Sequence, residues 1–343
     1  MTVRRARSAP EAPAASRLPQ VIEPMLPECA PEPFDSPAHI FEVCWDGVRT
    51  LAFIEGSRLR LQDRFGRNVT HRWPELSSLP MSVREGGLVL DGEIVCLDDA
   101  GRPDFKRLAT RFGVDDAAEA SRLADESPVM FQAFDVLYRS GQALTGWTLR
   151  RRKEMLRQVV RPGAFIAVPD FVAREGIAFF EAARQHGLKG VVAKEIESQY
   201  RPGLRSPAWR TVPVYRKENF VVAGFTYGGR WDPHDTRQRA SEPFTSLLLG
   251  QFDTTGRLRY AGEVSGGFDE TTSEALLEQL GELGAAATPF AESPEVTRLV
   301  FWCRPELAVS VRYAEWTDDG RLRFPVFEAL RPDVPALACV GRG

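Results

Sequence analysis

Apolar and polar residues begin to alternate at residue 38, and the alternation predicts strands. "HIFEVCWDGVRTLAFIEG" and "RLRLQDRFG" read as extended segments, the second ending on a glycine turn, and this pattern favours antiparallel pairing. "GLVLDGEIVCLDDAGRPDF" repeats it around a turn at "DDAGRP". Helical spacing is interspersed. "IAFFEAARQHG" puts Phe179, Ala182, Ala183 and His186 on one face, with Gly187 as the C-terminal cap. "TTSEALLEQLGEL" opens with a capping-box pattern, Thr271 to Glu274, and carries Leu276, Leu280 and Leu283 at i, i+4, i+7. Between Lys217 and Asp333, five or so short strands surround that helix, which fits a small barrel such as an OB-fold. The expected organisation is a disordered tail over residues 1–20, rich in Ala, Pro, Ser and Arg, a first domain over 21–217, a second over 218–335, and a tail over 336–343.

At 343 residues and 43% apolar composition, the chain can fill two cores. No run of about 18 apolar residues occurs, and the N-terminus lacks an apolar signal core, so the expected location is the cytoplasm, with no membrane partner. Five cysteines without CxxC spacing indicate neither a disulfide framework nor a zinc site. Only five of the 44 basic residues are lysines: Lys106, Lys153, Lys189, Lys194 and Lys217. Amine nucleophiles are therefore few, because arginine stays protonated. Residues 1–217 carry 32 basic and 28 acidic side chains, and residues 218–343 carry 12 and 19, so DNA binding would rest on a local basic surface of the first part. The stretches "LRRRKEMLR" and "YRPGLRSPAWR" suit either duplex phosphates or solvated faces. "WDPHDT" reads as a loop, and His39, His71, His186 and His234 show no ligand spacing; no metal residue is assigned.

From Val21 to Asp333 the segments "FEVCWDGVR", "DRFGRNVTHRWPEL", "LVLDGEIV", "FQAFDVLY", "GLKGVVAK", "YRPGLRSPAW", "RPELAVSVRYAEWT" and "RFPVFEALRPD" follow one another in an order that resembles ATP-dependent DNA ligases, specifically the ligase module of bacterial non-homologous end-joining ligases. The resemblance implies an α+β chain: a nucleotidyltransferase domain of two antiparallel sheets with helices, then a C-terminal OB-fold. It also implies ATP and Mg²⁺ as cofactors, nicked or broken double-stranded DNA as partner alongside an end-binding repair protein, and a place at the nucleoid. Chemistry of this kind is phosphoryl transfer: a lysine amine attacks the α-phosphate of ATP, AMP passes to the 5′-phosphate of a nick, and the 3′-hydroxyl displaces it.

Carried over onto matching positions, Glu42 is the residue at adenine, Arg49 stands at the ribose and nick phosphate, and Arg64 at the 5′-phosphate. Glu93, beside Asp91, holds the ribose hydroxyl, and Phe134 stacks on adenine. The lysine nucleophile position is Cys44. The metal-binding glutamate position is Lys189, and the two lysines expected after Trp209 are Thr211 and Pro213. The final motif retains Arg323, Arg331 and Asp333, with Val334 where a lysine is expected. These departures imply a chain that has lost self-adenylation and binds nicks, ends or a partner. Cys44 reads as a small apolar residue; a thiolate nucleophile is its alternative. Two functional alternatives stand beside this: a ligase that uses a relocated lysine, Lys189 or Lys194, or seals DNA already adenylated, and an RNA ligase or capping-type nucleotidyltransferase.

Overall fold

The computed structural model describes residues 18–226, 244–317 and 319–341, and the chain divides into two compact units between Pro213 and Val214. The first 17 residues of the expected tail, the "WDPHDT" segment with His234, and residues 342–343 lie outside the described residues. Residues 18–20, also counted in that tail, are placed: Leu18 packs on the first unit's core, and Arg60 donates to the Pro19 carbonyl at 3.4 Å.

Eleven strands among the described residues build the first unit: β1 (Leu26–Cys29), β2 (Ser36–Val43), β3 (Val48–Glu55), β4 (Arg58–Asp63), β5 (Leu88–Cys96), β6 (Val129–Arg139), β7 (Gln142–Ala143), β8 (Ile166–Ala167), β9 (Val172–Arg174), β10 (Gly190–Glu195) and β11 (Arg205–Pro213). They form two sheets. One runs β1-β11-β10-β2-β9; the other runs β4-β3-β5-β6-β7, with β8 beside β6. Pairing is antiparallel except at β1–β11 and β6–β8, which are parallel. The long extended segment from residue 38 is therefore two strands, β2 and β3, in different sheets, and Cys44–Gly47 is the crossing between them. Four helices accompany the sheets: α1 (Phe105–Ala109), α2 (Ala117–Glu126), α3 (Leu149–Val159) and α4 (Gly176–Gln185).

Helix α4 ends as its sequence predicts, on Gly187 at φ +72°, where the Leu188 N–H donates to the Ala183 carbonyl at 2.9 Å. Its buried face differs. Gly176, Phe179, Phe180 and Ala183 turn inward, whereas Ala182 and His186 are exposed. Gly176 decides this, because a Cβ there would lie 2.3 Å from the Phe41 ring, so the helix can approach β2 only along that line.

Seven strands and one α-helix are described in the second unit: β12 (Arg216–Thr226), β13 (Ser246–Phe252), β14 (Leu258–Val264), α5 (Glu270–Glu282), β15 (Val300–Tyr313), β16 (Glu315–Trp316), β17 (Leu322–Arg323) and β18 (Val326–Leu330). The main sheet runs β14-β13-β12-β15-β18, and the Phe327 N–H donates to Gly266 O at 2.9 Å, which joins its two edges into a barrel. Gly267 permits the closure: at φ +96°, a Cβ would lie 2.1 Å from Phe327 O. The expected boundary at residue 217 falls inside β12. Helix α5 packs Leu276 and Leu280 into an apolar core with Phe220, Leu247 and Val309. Its cap is Asp269, whose carboxylate accepts from Thr272 N at 2.7 Å, and not the Thr271 box. An extended Asp two residues earlier reaches the free amides first, so Thr271 is already helical.

Candidate functional site in the first unit

The site begins where β2 hands over to β3. Cys44 N donates to Gly190 O at 3.0 Å, fixing the crossing against β10, and Gly190 itself is required because a Cβ would lie 2.2 Å from Val212 O. The Gly47 amide donates to Glu93 Oε1 at 2.9 Å. These bonds hold Glu42, Cys44, Asp46 and Arg49 along one short stretch of chain facing β5, β6, β10 and β11.

Glu42 is buried between two ammonium groups, one oxygen ion-paired to Lys153 and the other accepting from Lys194 Nζ at 2.8 Å. Burial by itself would raise the Glu42 carboxyl, but the two lysines outweigh it and hold the group below the usual glutamate range. Lys194 shows the opposite balance. Burial pushes its amine down to about 8, and Glu42 only partly offsets this. Its Nζ stands 4.0 Å from the Phe134 ring centroid and 4.2 Å from that of Trp209.

Arg49 makes a two-pronged pair with Asp91, both N–O distances 2.6 Å, and Tyr200 Oη donates to the same carboxylate at 2.7 Å. Its guanidinium also lies 4.7 Å from the Phe134 centroid, so Phe134, only 5% exposed, carries two cations against its ring. Burial drives the Tyr200 hydroxyl well up, with Asp91 adding to it. Burial likewise raises Glu93 to about 7, against Arg49 and the Gly47 amide, which pull it down. Behind this layer, fully buried Arg152 and Asp135 form a second two-pronged pair at 2.9 and 3.0 Å, with Arg152 also donating to Trp147 O and Ser198 O.

On the side of the crossing, Lys189 Nζ lies 3.0 Å from Asp46 Oδ1 and 5.3 Å from the Phe105 centroid. Thr211 and Pro213 sit on β11, opposite Val192 and Gly190 of β10. The structure thus brings Glu42, Arg49, Glu93, Phe134 and Lys194 onto neighbouring strands, with Cys44 in the β2–β3 crossing and Lys189 just before β10. Arg64 stands apart from that network on the exposed turn after β4, its Cζ 4.6 Å from the Phe65 ring. In the second unit, Arg331 pairs with Asp333 at 2.7 Å, and Arg323 with Glu315 at 2.6 Å.

Two site residues, Lys153 and Arg152, escape a composition-based reading, since both lie in the basic stretch of α3. The signal was present in their spacing: Leu149, Arg152, Lys153 and Leu156 fall at i, i+3, i+4 and i+7, and all four are buried. Arg150, Arg151 and Arg157 take the solvated role, Arg150 and Arg157 paired with Glu197 and Asp170.

These pairings decide what is left for a nucleotide or metal. A divalent cation needs ionised oxygens, yet Asp91 is spent on Arg49 and Tyr200, Asp46 on Lys189, and Glu93 is half-protonated near neutrality. No cluster of three His, Cys, Asp or Glu suited to a metal occurs among the described residues. For adenine, the Phe134 ring is already covered and Glu42 already saturated. Two buried indole donors near the site, Trp209 Nε1–H and Trp45 Nε1–H of the crossing, have no acceptor among the described residues.

Two mostly antiparallel sheets with a site at their β2–β3 crossing, followed by an OB barrel, define the covalent nucleotidyltransferase class. The model of the ATP dependent DNA ligase domain matches residues 22–212, that of the ATP dependent DNA ligase C terminal region matches residues 240–334, and the chain belongs to the ATP-dependent DNA ligase family. It is 34% identical to the multifunctional non-homologous end joining DNA repair protein LigD of Mycobacterium tuberculosis, over 85% of this chain and 36% of that protein. The chain therefore spans about a third of the length of such relatives. It is 30% identical to DNA ligase C2 of Mycolicibacterium smegmatis, over 92% and 94% of the two chains. A solved structure of mycobacterial DNA ligase D complexed with ATP and MES covers 94% of this chain at 30% identity, with a TM-score of 0.51. No helix among the described residues is long and apolar enough to cross a membrane.

Proposed function

We propose that this chain is a self-adenylation-deficient member of its family that binds nicked or broken duplex DNA in non-homologous end-joining repair, in company with an end-binding protein. The observation that carries it is the state of the three lysines at the site: Lys153 and Lys194 are committed to Glu42, and Lys189 to Asp46, while Cys44 stands at the crossing. An amine attacks phosphorus only as the free base with its lone pair available, and each of these three is engaged by a carboxylate. The family implies ATP and Mg²⁺, and the residues present here suit neither well: Lys189 sets a cation beside Asp46, and Thr211 and Pro213 bring no charge to an α-phosphate. The chain lends itself to work in the cytoplasm, at the nucleoid.

Incubation with α-³²P-ATP and magnesium or manganese, resolved on a denaturing gel, tests this. The native chain is expected to stay unlabelled under conditions that label an active ligase; a labelled native band overturns the reading. A second reading is favoured by the position of Lys189, whose neighbour Gly190 bonds the Cys44 amide. Here Lys189 is a relocated nucleophile, or the chain seals nicks already adenylated. Loss of the band in Lys189→Ala supports the former, and a joined strand from pre-adenylated nicked DNA supports the latter.

A further inference from the structure

The turn after β4 is built to hold an aromatic ring in solvent. Asp63 accepts from the amides of Phe65 and Arg67, both at 2.9 Å, and from Arg67 Nε at 2.6 Å. The Asp63 amide donates to Arg67 O at 3.0 Å and that of Gly66, at φ +83°, to Asp63 O at 3.1 Å. With its backbone so tied, the turn gives Phe65 no route inward, and the ring is 65% exposed. Two guanidinium groups flank it, Arg64 Cζ at 4.6 Å and Arg67 Cζ at 5.1 Å from the centroid. Next to the turn, Arg58 and Arg60 line a groove of about 440 Å³ with Phe53 and Asn68, and Arg60 lies 3.7 Å over the Phe53 ring. Glu55 is the groove's acidic residue, and Asp63 is spent on Arg67, so the surface is cationic.

The geometry points to a base-stacking site: Phe65 lays its ring on a base exposed at a strand break, while Arg64, Arg67 and the Arg58–Arg60 groove take the adjoining phosphates. Charge and aromatic character together select the ligand. A guanidinium beside an open π-face suits a base and its phosphate, whereas an apolar protein surface would have to desolvate the Arg64 guanidinium and the Arg67–Asp63 pair with nothing in return. An intact duplex offers its phosphates but no free base face, so the ring contributes only at a break. This inference rests on the DNA-binding reading above and assigns to one turn its preference for breaks.

Fluorescence-anisotropy titrations of nicked and intact duplex with native chain, Phe65→Ala and Phe65→Trp provide the test, together with photo-crosslinking to 5-iodouracil placed beside the nick. Phe65→Ala is expected to weaken nicked-duplex binding about tenfold or more, to leave intact duplex within twofold, and to melt at the native temperature. Phe65→Trp is expected to restore the preference, and the crosslinked peptide to contain Phe65. A native preference for nicks that Phe65→Ala leaves within twofold, or a crosslink elsewhere, overturns the assignment to this turn alone. A native chain that binds both duplexes equally overturns the nick-binding reading and this inference with it.

Discussion

The site's two ends are held by different physics. At the buried end, Glu42, Lys153, Lys194, Arg49, Asp91, Tyr200, Arg152 and Asp135 form ion pairs and hydrogen bonds sealed under aromatic rings. At the outer end, the Asp63–Arg67 turn and the Lys189–Asp46 pair stand partly in water, Lys189 being 36% exposed. A buried charge is tolerable only while its partner is present, whereas an exposed pair contributes little and is easily exchanged. The difference teaches why such a chain can keep its buried ion pairs while an outer position such as Lys189 departs from the pattern that the resemblance implies. Losing a buried partner costs several kcal/mol of stability, whereas changing an outer residue costs little.

That contrast can be broken at its strongest point first. Asp135→Asn leaves the Arg152 guanidinium buried and uncompensated, so a loss of about 3–5 kcal/mol is expected in urea unfolding; a loss below 1 kcal/mol would mean that water reaches the pair. Glu42→Gln is next, with about 2–3 kcal/mol lost at pH 7. The Lys194 amine, already pushed down to about 8 when folded against an ordinary 10.5, sets the pH dependence of this loss. The folded state then binds fewer protons than the unfolded one between those values, stability rises with pH there, and the Glu42→Gln deficit is expected to be smaller at pH 9 than at pH 7.

Glu93 works in the other direction. Its folded carboxyl, raised to about 7 from 4.5, binds more protons than the unfolded one in that window, so the native chain loses stability as pH rises through it, by about 3 kcal/mol. Glu93→Gln is expected to flatten the melting temperature between pH 5 and 7; an unchanged slope would place the titration elsewhere. Asp269→Ala, removing the α5 cap in the second unit, is expected to cost about 1 kcal/mol. At the outer end, Cys44→Lys is expected to shift stability by less than about 1 kcal/mol and to leave the chain unlabelled by α-³²P-ATP, because Lys189, Thr211 and Pro213 remain. Labelling by that single substitution would reduce the proposed deficiency to one residue.

The sheets were legible because alternation in "RTLAFIEG" and "LVLDGEIV" is a local property of the pleat. The site was legible only as an ordered set of motifs, and what each side chain does there was not. Phe134 reads as an adenine platform, and the fold sets Lys194 and Arg49 against its ring. "LRRRKEMLR" reads as a uniform basic surface, and helix geometry divides it into two interior cations, Arg152 and Lys153, and three solvated ones, Arg150, Arg151 and Arg157. The α5 cap moved by two residues because competing carboxyl and hydroxyl groups stand side by side there, and the choice depends on backbone angle.

By itself the sequence determined the element types, the two-domain plan, the family and the small stock of lysines, since periodicity, turn residues and motif order are written along one dimension. Only the tertiary structure decided that Glu42 meets Lys153 and Lys194, residues 111 and 152 positions away. Such partnerships depend on which strands the sheets make neighbours, and the large desolvation energy of a buried charge then fixes every ion in that interior to a specific mate.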